Sequence, residues 1–119
     1  MRSTTLLTNV DASVQQISAD LNFDQRAAWK VYITSSGLDG TPQLFIEDNT
    51  SPGINTAPTG DWTIVCNPCD TVTDSFPIDD TVITIEKNDF KSNWFRVRIE
   101  PNGNTTGTIN VTLSYKTFP

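Results

Sequence analysis

The sequence contains no histidine, and it has only two cysteines and one methionine. The absence of histidine removes the commonest general base, the usual partner of a serine or cysteine nucleophile, and the commonest zinc ligand. An enzyme built from this chain would have to use carboxylates or lysine in a shaped pocket. The composition therefore favours a protein that acts by binding rather than by catalysis, and we expect no cofactor and no metal.

Long apolar runs and an excess of basic residues are also missing. No apolar run approaches the roughly 18 residues of a membrane-spanning helix, and the N-terminus lacks the continuous apolar stretch of a signal peptide. Eight Lys and Arg residues are outnumbered by fourteen Asp and Glu residues, which gives a net charge of -6. A nucleic-acid-binding protein needs a basic footprint. We therefore expect no nucleic acid and no membrane as partners, and a protein that is made and kept in a cytoplasm unless something larger carries it out.

Alternation of apolar and polar residues with a period of two is the strongest positive signal. Within the segment 94–100, apolar residues alternate with charged ones from Phe95 to Glu100, and a similar alternation with polar residues runs over 108–116. Such alternation indicates strands with one buried and one solvated face, as in an antiparallel sheet. Asn102-Gly103, a favoured turn dipeptide, lies between the two segments. The sequence therefore predicts a closing β-hairpin.

The same pattern predicts further strands along the chain. Residues 29–34 form a clear strand, and the turn signal Asp39-Gly40 predicts a hairpin with a partner strand at 43–47. Further strands are predicted at 6–10, as a short edge strand, and at 62–66, 71–76 and 81–86, the last of them closed by residues 87–89. Within 14–23, Val14, Ile17 and Leu21 have helical spacing, but the segment fits a strand and a turn equally well, and we favour the strand. Seven or eight short strands with frequent turns predict an all-β fold, an antiparallel, jelly-roll-like β-sandwich that forms a single domain over residues 1–119.

Two motifs invite a chemical interpretation that the rest of the sequence does not support. Cys66 and Cys69 form a C-x-x-C pair, but a structural zinc site normally needs four ligands. A thioredoxin-type pair needs a helix after the first cysteine, and the following residues are acidic and β-like. We expect two turn cysteines, either reduced or locally bridged. Paired carboxylates could hold calcium, yet no D-x-D-x-D-G order exists, so we expect solvated acids. These pairs are Glu47-Asp48, Asp79-Asp80, and Asp70 with Asp74.

The tryptophans differ in the face that their strands predict. Trp29 and Trp62 share the parity of neighbouring apolar residues, so both are predicted to lie in the core. Trp94 instead shares the parity of Arg96 and Arg98, which predicts an outward tryptophan beside two arginines. This combination is typical of interface hot spots, and it competes with simple packing at a sheet edge. Three Asn-x-Ser/Thr sequons, at Asn49, Asn104 and Asn110, reflect an Asn- and Thr-rich composition.

Several segments carry a resemblance to a known family. The segment WKVYIT at 29–34, a turn, and then LFIEDN at 44–49 resemble the opening hairpin of small β-sandwich proteins found in virions of tailed and related bacteriophages. The dipeptide WT at 62–63 is similar to the next strand of that family. NWFRVRI at 93–99, followed by GTINVTL at 107–113 and Lys116, is similar to its closing hairpin.

The resemblance implies a non-enzymatic virion component, such as a decoration or auxiliary protein of the head, or a small fibre or vertex subunit. It would be made in the host cytoplasm and reside in the virion. Its partners would be other virion proteins, such as major capsid or vertex proteins, together with copies of itself in a homo-oligomer, with a trimer favoured. The alternative is a carbohydrate-binding β-sandwich module in a fibre or adhesion role, with Trp94 or Tyr32 as the stacking platform and loop acids holding calcium.

Overall fold

The computed structural model describes residues 2–23, 26–49, 58, 62–64, 75–90 and 93–118. Within these ranges the regular structure consists of β-strands, and every strand pair is antiparallel. The long strands are β1 (Arg2–Asp11), β4 (Arg26–Ser36), β5 (Gln43–Asn49), β8 (Ile83–Phe90), β9 (Trp94–Glu100) and β10 (Thr108–Phe118). The two-residue strands are β2 (Gln16–Ile17), β3 (Leu21–Asn22), β6 (Thr63–Ile64) and β7 (Phe76–Pro77).

The strands form two packed sheets with jelly-roll connectivity. Sheet A has the order β1-β10-β4-β8, and sheet B has the order β2-β9-β5-β6. β2 and β3 both pair with β9, β2 near its end and β3 near its start. β6 and β7 both pair with β5, β6 near its end and β7 near its start. If β2 and β3 are counted as one interrupted strand and β7 is left out, each sheet has four strands. Most connections along the chain pass from one sheet to the other, as in a jelly roll. The predicted all-β, jelly-roll-like sandwich is therefore confirmed.

Both predicted hairpins are wrong, although the strands themselves lie where the sequence placed them. β9 belongs to sheet B and β10 to sheet A, and β4 and β5 are divided between the sheets in the same way. Alternate side chains point inward both when two strands pair side by side and when they face each other across a core. The alternation therefore indicated the strands and their buried faces, but it did not indicate their partners.

The Asn102-Gly103 turn exists, but it does not join neighbouring strands. Both residues have positive φ, 50° and 83°, as a type I′ turn requires. The N–H of Asn104 donates to the carbonyl of Pro101 at 2.9 Å and closes the turn. The turn lies within the longer connection 101–107, which carries the chain from sheet B to sheet A.

Several strand boundaries also differ from those predicted. β1 begins at Arg2 rather than at residue 6, so it is longer than the short strand predicted, although it does form one edge of sheet A. The segment 14–23 contains two short strands, β2 and β3. β8 continues to Phe90 instead of ending before residues 87–89. Only residues 62–64, which include β6, and residues 75–76, which include the start of β7, can be compared with the strands predicted at 62–66 and 71–76, because the remaining residues of those segments lie outside the described ranges.

The side-chain amide of Asn104 holds together three connections that cross between the sheets. Asn104 is 2% exposed. Its Oδ1 accepts hydrogen bonds from the backbone N–H groups of Asp39 (3.0 Å) and Gly40 (2.8 Å). Its Nδ2 donates to the carbonyl oxygens of Ala12 (3.1 Å) and Thr106 (2.6 Å). The connections that follow β1, β4 and β9 therefore meet at one amide whose donors and acceptor are all satisfied.

Close backbone packing and a carboxylate support the same end of the sandwich. Gly107 has a φ of 95°, and a Cβ at this position would lie 2.6 Å from the carbonyl oxygen of Ser36. Only glycine fits such an approach. The Asp39 carboxylate accepts hydrogen bonds from the hydroxyl and the N–H of Thr105. These two bonds hold the pKa of Asp39 below its ordinary value, with the hydroxyl contributing more than the N–H.

The replacement Asn104→Ala should destabilise the protein by about 3 kcal/mol, because it leaves buried N–H and C=O groups unpaired. Urea unfolding followed by circular dichroism would measure this loss. Asn102→Gly is the matched control, since Asn102 lies in the same turn, already has positive φ, and makes one exposed side-chain hydrogen bond, from Nδ2 to the carbonyl of Thr41 at 3.1 Å. The control should lose no more than about 0.5 kcal/mol. Equal losses for the two variants would show that Asn104 does not hold the connections.

The core lies between the two sheets and has an aromatic end. Phe23, Trp29, Phe90 and Phe95 form a cluster with ring centroids 5.2–6.1 Å apart. The remaining buried core residues are aliphatic: Leu7, Ala12, Ala27, Val31, Ile33, Leu44, Ile46, Ile78, Ile85, Val97, Ile99, Ile109, Val111 and Leu113. The core position predicted for Trp29 is confirmed, since that residue is 2% exposed.

The predicted faces of β10 can be tested with one pair of variants. Val111 is fully buried, whereas Thr112 lies on the outer face of sheet A and is partly exposed. Val111→Asp should cost more than about 3 kcal/mol, because it buries a carboxylate without a partner. Thr112→Asp should cost about 1 kcal/mol or less. Thermal unfolding of the two variants would compare them, and similar losses would contradict the assignment of the faces.

Candidate interface on the outer face of sheet B

The predicted interface residues lie together on the outer face of sheet B. Phe95, Val97 and Ile99 are fully buried in the core, so the residues between them point away from it. In the β5–β9 register, Trp94 lies opposite Asn49, Arg96 opposite Glu47, and Arg98 opposite Phe45. We call this set the arginine face: Phe45, Glu47, Asn49, Trp94, Arg96 and Arg98.

Trp94 is not the exposed anchor that the sequence predicted. It does lie on the face opposite the core set, but only 9% of it is exposed. The reason is its position within the sheet, because β9 has neighbours on both sides at this level. Asn22 of β3 and Asn49 of β5 both lie directly opposite Trp94. Its indole N–H has no hydrogen-bond partner among the described residues. Because so little of its surface is exposed, Trp94 is a packed residue and not a ring on which a ligand could stack.

Trp62 also departs from the prediction, because it lies on the arginine face instead of in the core. β6 pairs with β5 so that Ile64 lies opposite Glu47, which places Ile64 on the outer face. Ile64 is 41% exposed. The guanidinium carbon of Arg96 lies 4.2 Å from the centroid of the Trp62 ring. Trp62 and Ile64 do share one side of the sheet, as their parity predicted. That side is the outer face and not the core.

Glu47 is the centre of the charge network on this face. Its side chain is 7% exposed, and its two oxygens bind different arginines. Arg96 Nε donates to Oε1 at 2.9 Å, and Arg98 Nε lies 3.4 Å from Oε2. The guanidinium of Arg98 also lies 4.2 Å from the centroid of the Phe45 ring. Each arginine therefore contacts both a carboxylate and an aromatic ring, an arrangement that suits the planar guanidinium.

Glu100 extends the network toward the edge of the sheet. Arg98 Nη1 donates to Glu100 Oε1 at 2.5 Å, and Gln15 Nε2 donates to the same oxygen at 2.5 Å. The hydrogen bond from Gln15, together with a smaller effect of Arg98, holds the pKa of Glu100 below its ordinary value. Two arginines and two glutamates thus balance in charge, and the arrangement stabilises fixed side-chain positions.

Two exposed apolar residues flank the arginine face. Ile17 of β2 lies opposite Arg98 on one side and is 45% exposed. Ile64 of β6 lies on the other side, beyond β5. Arginine and aromatic side chains held in place next to exposed apolar groups have the composition of a protein-binding surface. Nothing in this arrangement positions a nucleophile beside a base.

The sequence correctly predicted one shared face for Trp94, Arg96 and Arg98. It missed Phe45, and it was wrong in predicting a solvated Glu47 and a Trp62 in the core. In β5, Leu44 and Ile46 alternate with Phe45 and Glu47, and this alternation would have placed Phe45 and Glu47 on an outer face. Their contact with the arginines could be inferred only once β5 was known to pair with β9.

The other candidate residues that the structure describes form no second site. Cys66, Cys69, Asp70 and Asp74 lie outside the described residues. Asp79 accepts a hydrogen bond from the Thr81 hydroxyl (2.6 Å), and Asp80 accepts one from the N–H of Leu38 (3.4 Å). Among the described residues, no group of three His, Cys, Asp or Glu side chains could hold a metal ion.

The asparagines of the three sequons are either buried or hydrogen-bonded within the fold. Asn49 and Asn104 are buried, at 4% and 2% exposure. Asn110 Nδ2 donates to Asn9 Oδ1 at 3.1 Å, and the N–H of Asn9 donates to Asn110 Oδ1 at 2.9 Å. Burial and pairing explain these asparagines without glycosylation.

A depression lined by Arg2, Tyr115, Lys116 and Thr117 has a volume of about 180 Å³. Pockets that enclose small molecules usually have about 300–1,000 Å³, so this one is small for such a role. Within the part of the chain that the structure describes, no helix is long and apolar enough to cross a membrane.

No model of a known protein family matches the sequence, and no curated protein is similar enough to count as a match. Its function has to be argued from its own residues.

The replacement Arg96→Ala should destabilise the protein by about 3 kcal/mol, because it removes one of the two cations that hold the buried Glu47. Lys30→Ala is the control, because the Lys30–Glu86 pair is 3.9 Å long and more than half exposed. The control should lose less than about 0.5 kcal/mol. Chemical unfolding of both variants would measure the difference, and a loss for Arg96→Ala as small as the control's would show that the network is not stabilising.

Proposed function

We propose that this chain is a non-enzymatic structural subunit of a bacteriophage virion, an auxiliary or decoration protein of the head. In this function it binds other capsid or vertex subunits and copies of itself, with a trimer favoured. The arginine face is the observation that carries the proposal, because its arginines are fixed on aromatic rings and a carboxylate before any partner arrives. Such preorganised side chains lose little conformational entropy on binding.

The composition of this face supports binding to protein. Arginine and aromatic residues are enriched in interface cores, where a few well-packed side chains provide most of the binding energy. Ile17 and Ile64 offer exposed apolar surface on both sides of the charged network. A partner that covers them would bury apolar area without separating Glu47 from its two arginines.

The fold agrees with this function but does not establish it. Jelly rolls occur in viral capsid proteins and also in lectins and cupins, and fold alone does not determine function. The resemblance of residues 29–49, 62–63 and 93–116 to small virion proteins adds to the case. Symmetric homo-oligomers are the usual form of soluble assemblies, and lattice positions in a capsid favour closed rings.

The test uses the double variant Ile17→Lys with Ile64→Lys. Both residues are exposed, so the fold should be retained, whereas two lysines in an apolar contact should weaken association at least about tenfold. Sedimentation velocity would measure the oligomeric state. Mass spectrometry of purified particles would measure incorporation into the virion. Charge reversal of Arg96 and Arg98 is unsuitable, because it would place new carboxylates beside Glu47 and Glu100 and destabilise the fold.

Val82→Lys is the matched control, since Val82 is 60% exposed and precedes β8 in sheet A. We expect this control to assemble normally. Normal assembly and incorporation of the double variant would place the interface elsewhere. A chain that stays monomeric at high concentration and is absent from particles would contradict the proposed function itself.

A further inference from the structure

The outer face of sheet A differs from the arginine face, because it is mostly uncharged and rich in hydroxyl groups. One row of directly opposed residues crosses all four strands: Thr5 of β1, Thr112 of β10, Tyr32 of β4 and Thr84 of β8. In the next row, Ser3 and Ser114 are opposed and their hydroxyls are hydrogen-bonded at 3.1 Å. We call this surface the hydroxyl face. Its central row spans roughly 14 Å, since neighbouring strands lie about 4.8 Å apart.

An exposed aromatic ring lies within this row. Tyr32 is 45% exposed, although it belongs to one of the two inner strands of the sheet. Val82, which has the outward parity of Thr84, is 60% exposed at the neighbouring edge. Hydroxyl groups of threonine surround this small apolar area on the adjacent strands. A ligand that fits it needs an apolar surface bordered by its own hydrogen-bonding groups.

The charged side chains of the hydroxyl face limit the kinds of ligand that it can bind. The chain has a net charge of -6, yet the charged side chains in the three rows centred on Tyr32 are Lys30 and Glu86, which pair with each other at 3.9 Å. A surface without unpaired charge provides no attraction for an ionic ligand, and it avoids the cost of removing water from an unpaired charge. The complementary ligand is therefore uncharged.

A second copy of the chain is a poorer fit than a small ligand. Stable protein interfaces bury at least about 1,000 Å² around an apolar core. Among the described residues of this face, Tyr32 and Val82 are the large apolar side chains with substantial exposure. Two such side chains are too few for that core, but they suit a ligand that covers one ring and its hydroxyl neighbours.

We propose that the hydroxyl face binds a neutral, extended oligosaccharide. A pyranose ring has an apolar C–H surface that can stack on the ring of Tyr32, and its hydroxyl groups can exchange hydrogen bonds with Thr84 and Thr112. An extended β-1,4-linked chain of a few sugars can follow the row across the four strands. This inference goes beyond the proposed virion function and does not depend on it, because it uses the opposite face of the sandwich.

Chemical-shift titration of the backbone amides with cellohexaose, chitohexaose and mannohexaose tests the proposal. Concentrations up to about 10 mM are needed, because a single stacked ring supports only millimolar affinity. We expect at least one hexasaccharide to shift the amides of Tyr32, Thr84 and Thr112 in a saturable way. Tyr32→Ala should weaken that binding about tenfold, whereas Tyr32→Phe keeps the ring and should retain it within about threefold.

Val14→Ala is the matched control, since Val14 is an exposed apolar residue (50%) outside sheet A. This control should bind as the unaltered chain does. The proposal is overturned if none of the three sugars produces saturable shifts, or if Tyr32→Ala binds normally. Shifts at Tyr32 that depend on protein concentration without sugar would identify a self-interface and would also overturn it.

Discussion

The buried amide of Asn104 is the interaction on which the two-sheet arrangement depends. In a jelly roll, most connections pass from one sheet to the other. The two strands that such a connection joins are not paired with each other, so hairpin hydrogen bonds cannot hold the connection in place. Here one amide binds backbone groups after β1, β4 and β9 at distances of 2.6–3.1 Å. The bonds from Asp39 to Thr105 and the close approach of Gly107 to Ser36 act at the same end. Both outer faces depend on this junction, because it ties together three of the connections that pass between the sheets.

The two outer faces use their side chains in opposite ways. On sheet B, arginines, glutamates and aromatic rings contact one another and leave little free charge, so the surface is already ordered. On sheet A, threonine and serine hydroxyls surround an exposed tyrosine. The first face suits a protein partner that requires rigid arginine and aromatic groups, and the second suits a small uncharged ligand. The two proposed binding surfaces lie on opposite sides of the sandwich, so a partner on one would not block the other.

Alternation predicted the strands and their buried sides well. Val97, Ile99, Val111 and Leu113 are all fully buried, as their parity requires. Pairing could not be predicted, because the parity of β9 and β10 is the same whether they are neighbours or lie across the core. Trp62 was misplaced for a related reason: a two-residue strand has no strong periodicity of its own, and its face is set by pairing with β5. The exposure of Trp94 was overestimated because parity says nothing about neighbouring strands that cover an outward side chain.

Glu47 illustrates why a buried charge can be retained on an outer face. Burying a carboxylate is costly, and an apolar side chain of similar size would often stabilise a protein as well. Alternation, however, tolerates a slip of two residues between β5 and β9, since every side chain would keep its face. Such a slip, in either direction, would remove Glu47 from its position opposite Arg96 and would also take Arg98 away from Phe45. The observed register gives each arginine a carboxylate and an aromatic ring at once. The charge network therefore specifies the register that the hydrophobic pattern leaves open, and a fixed register is what keeps the arginine face in a single arrangement.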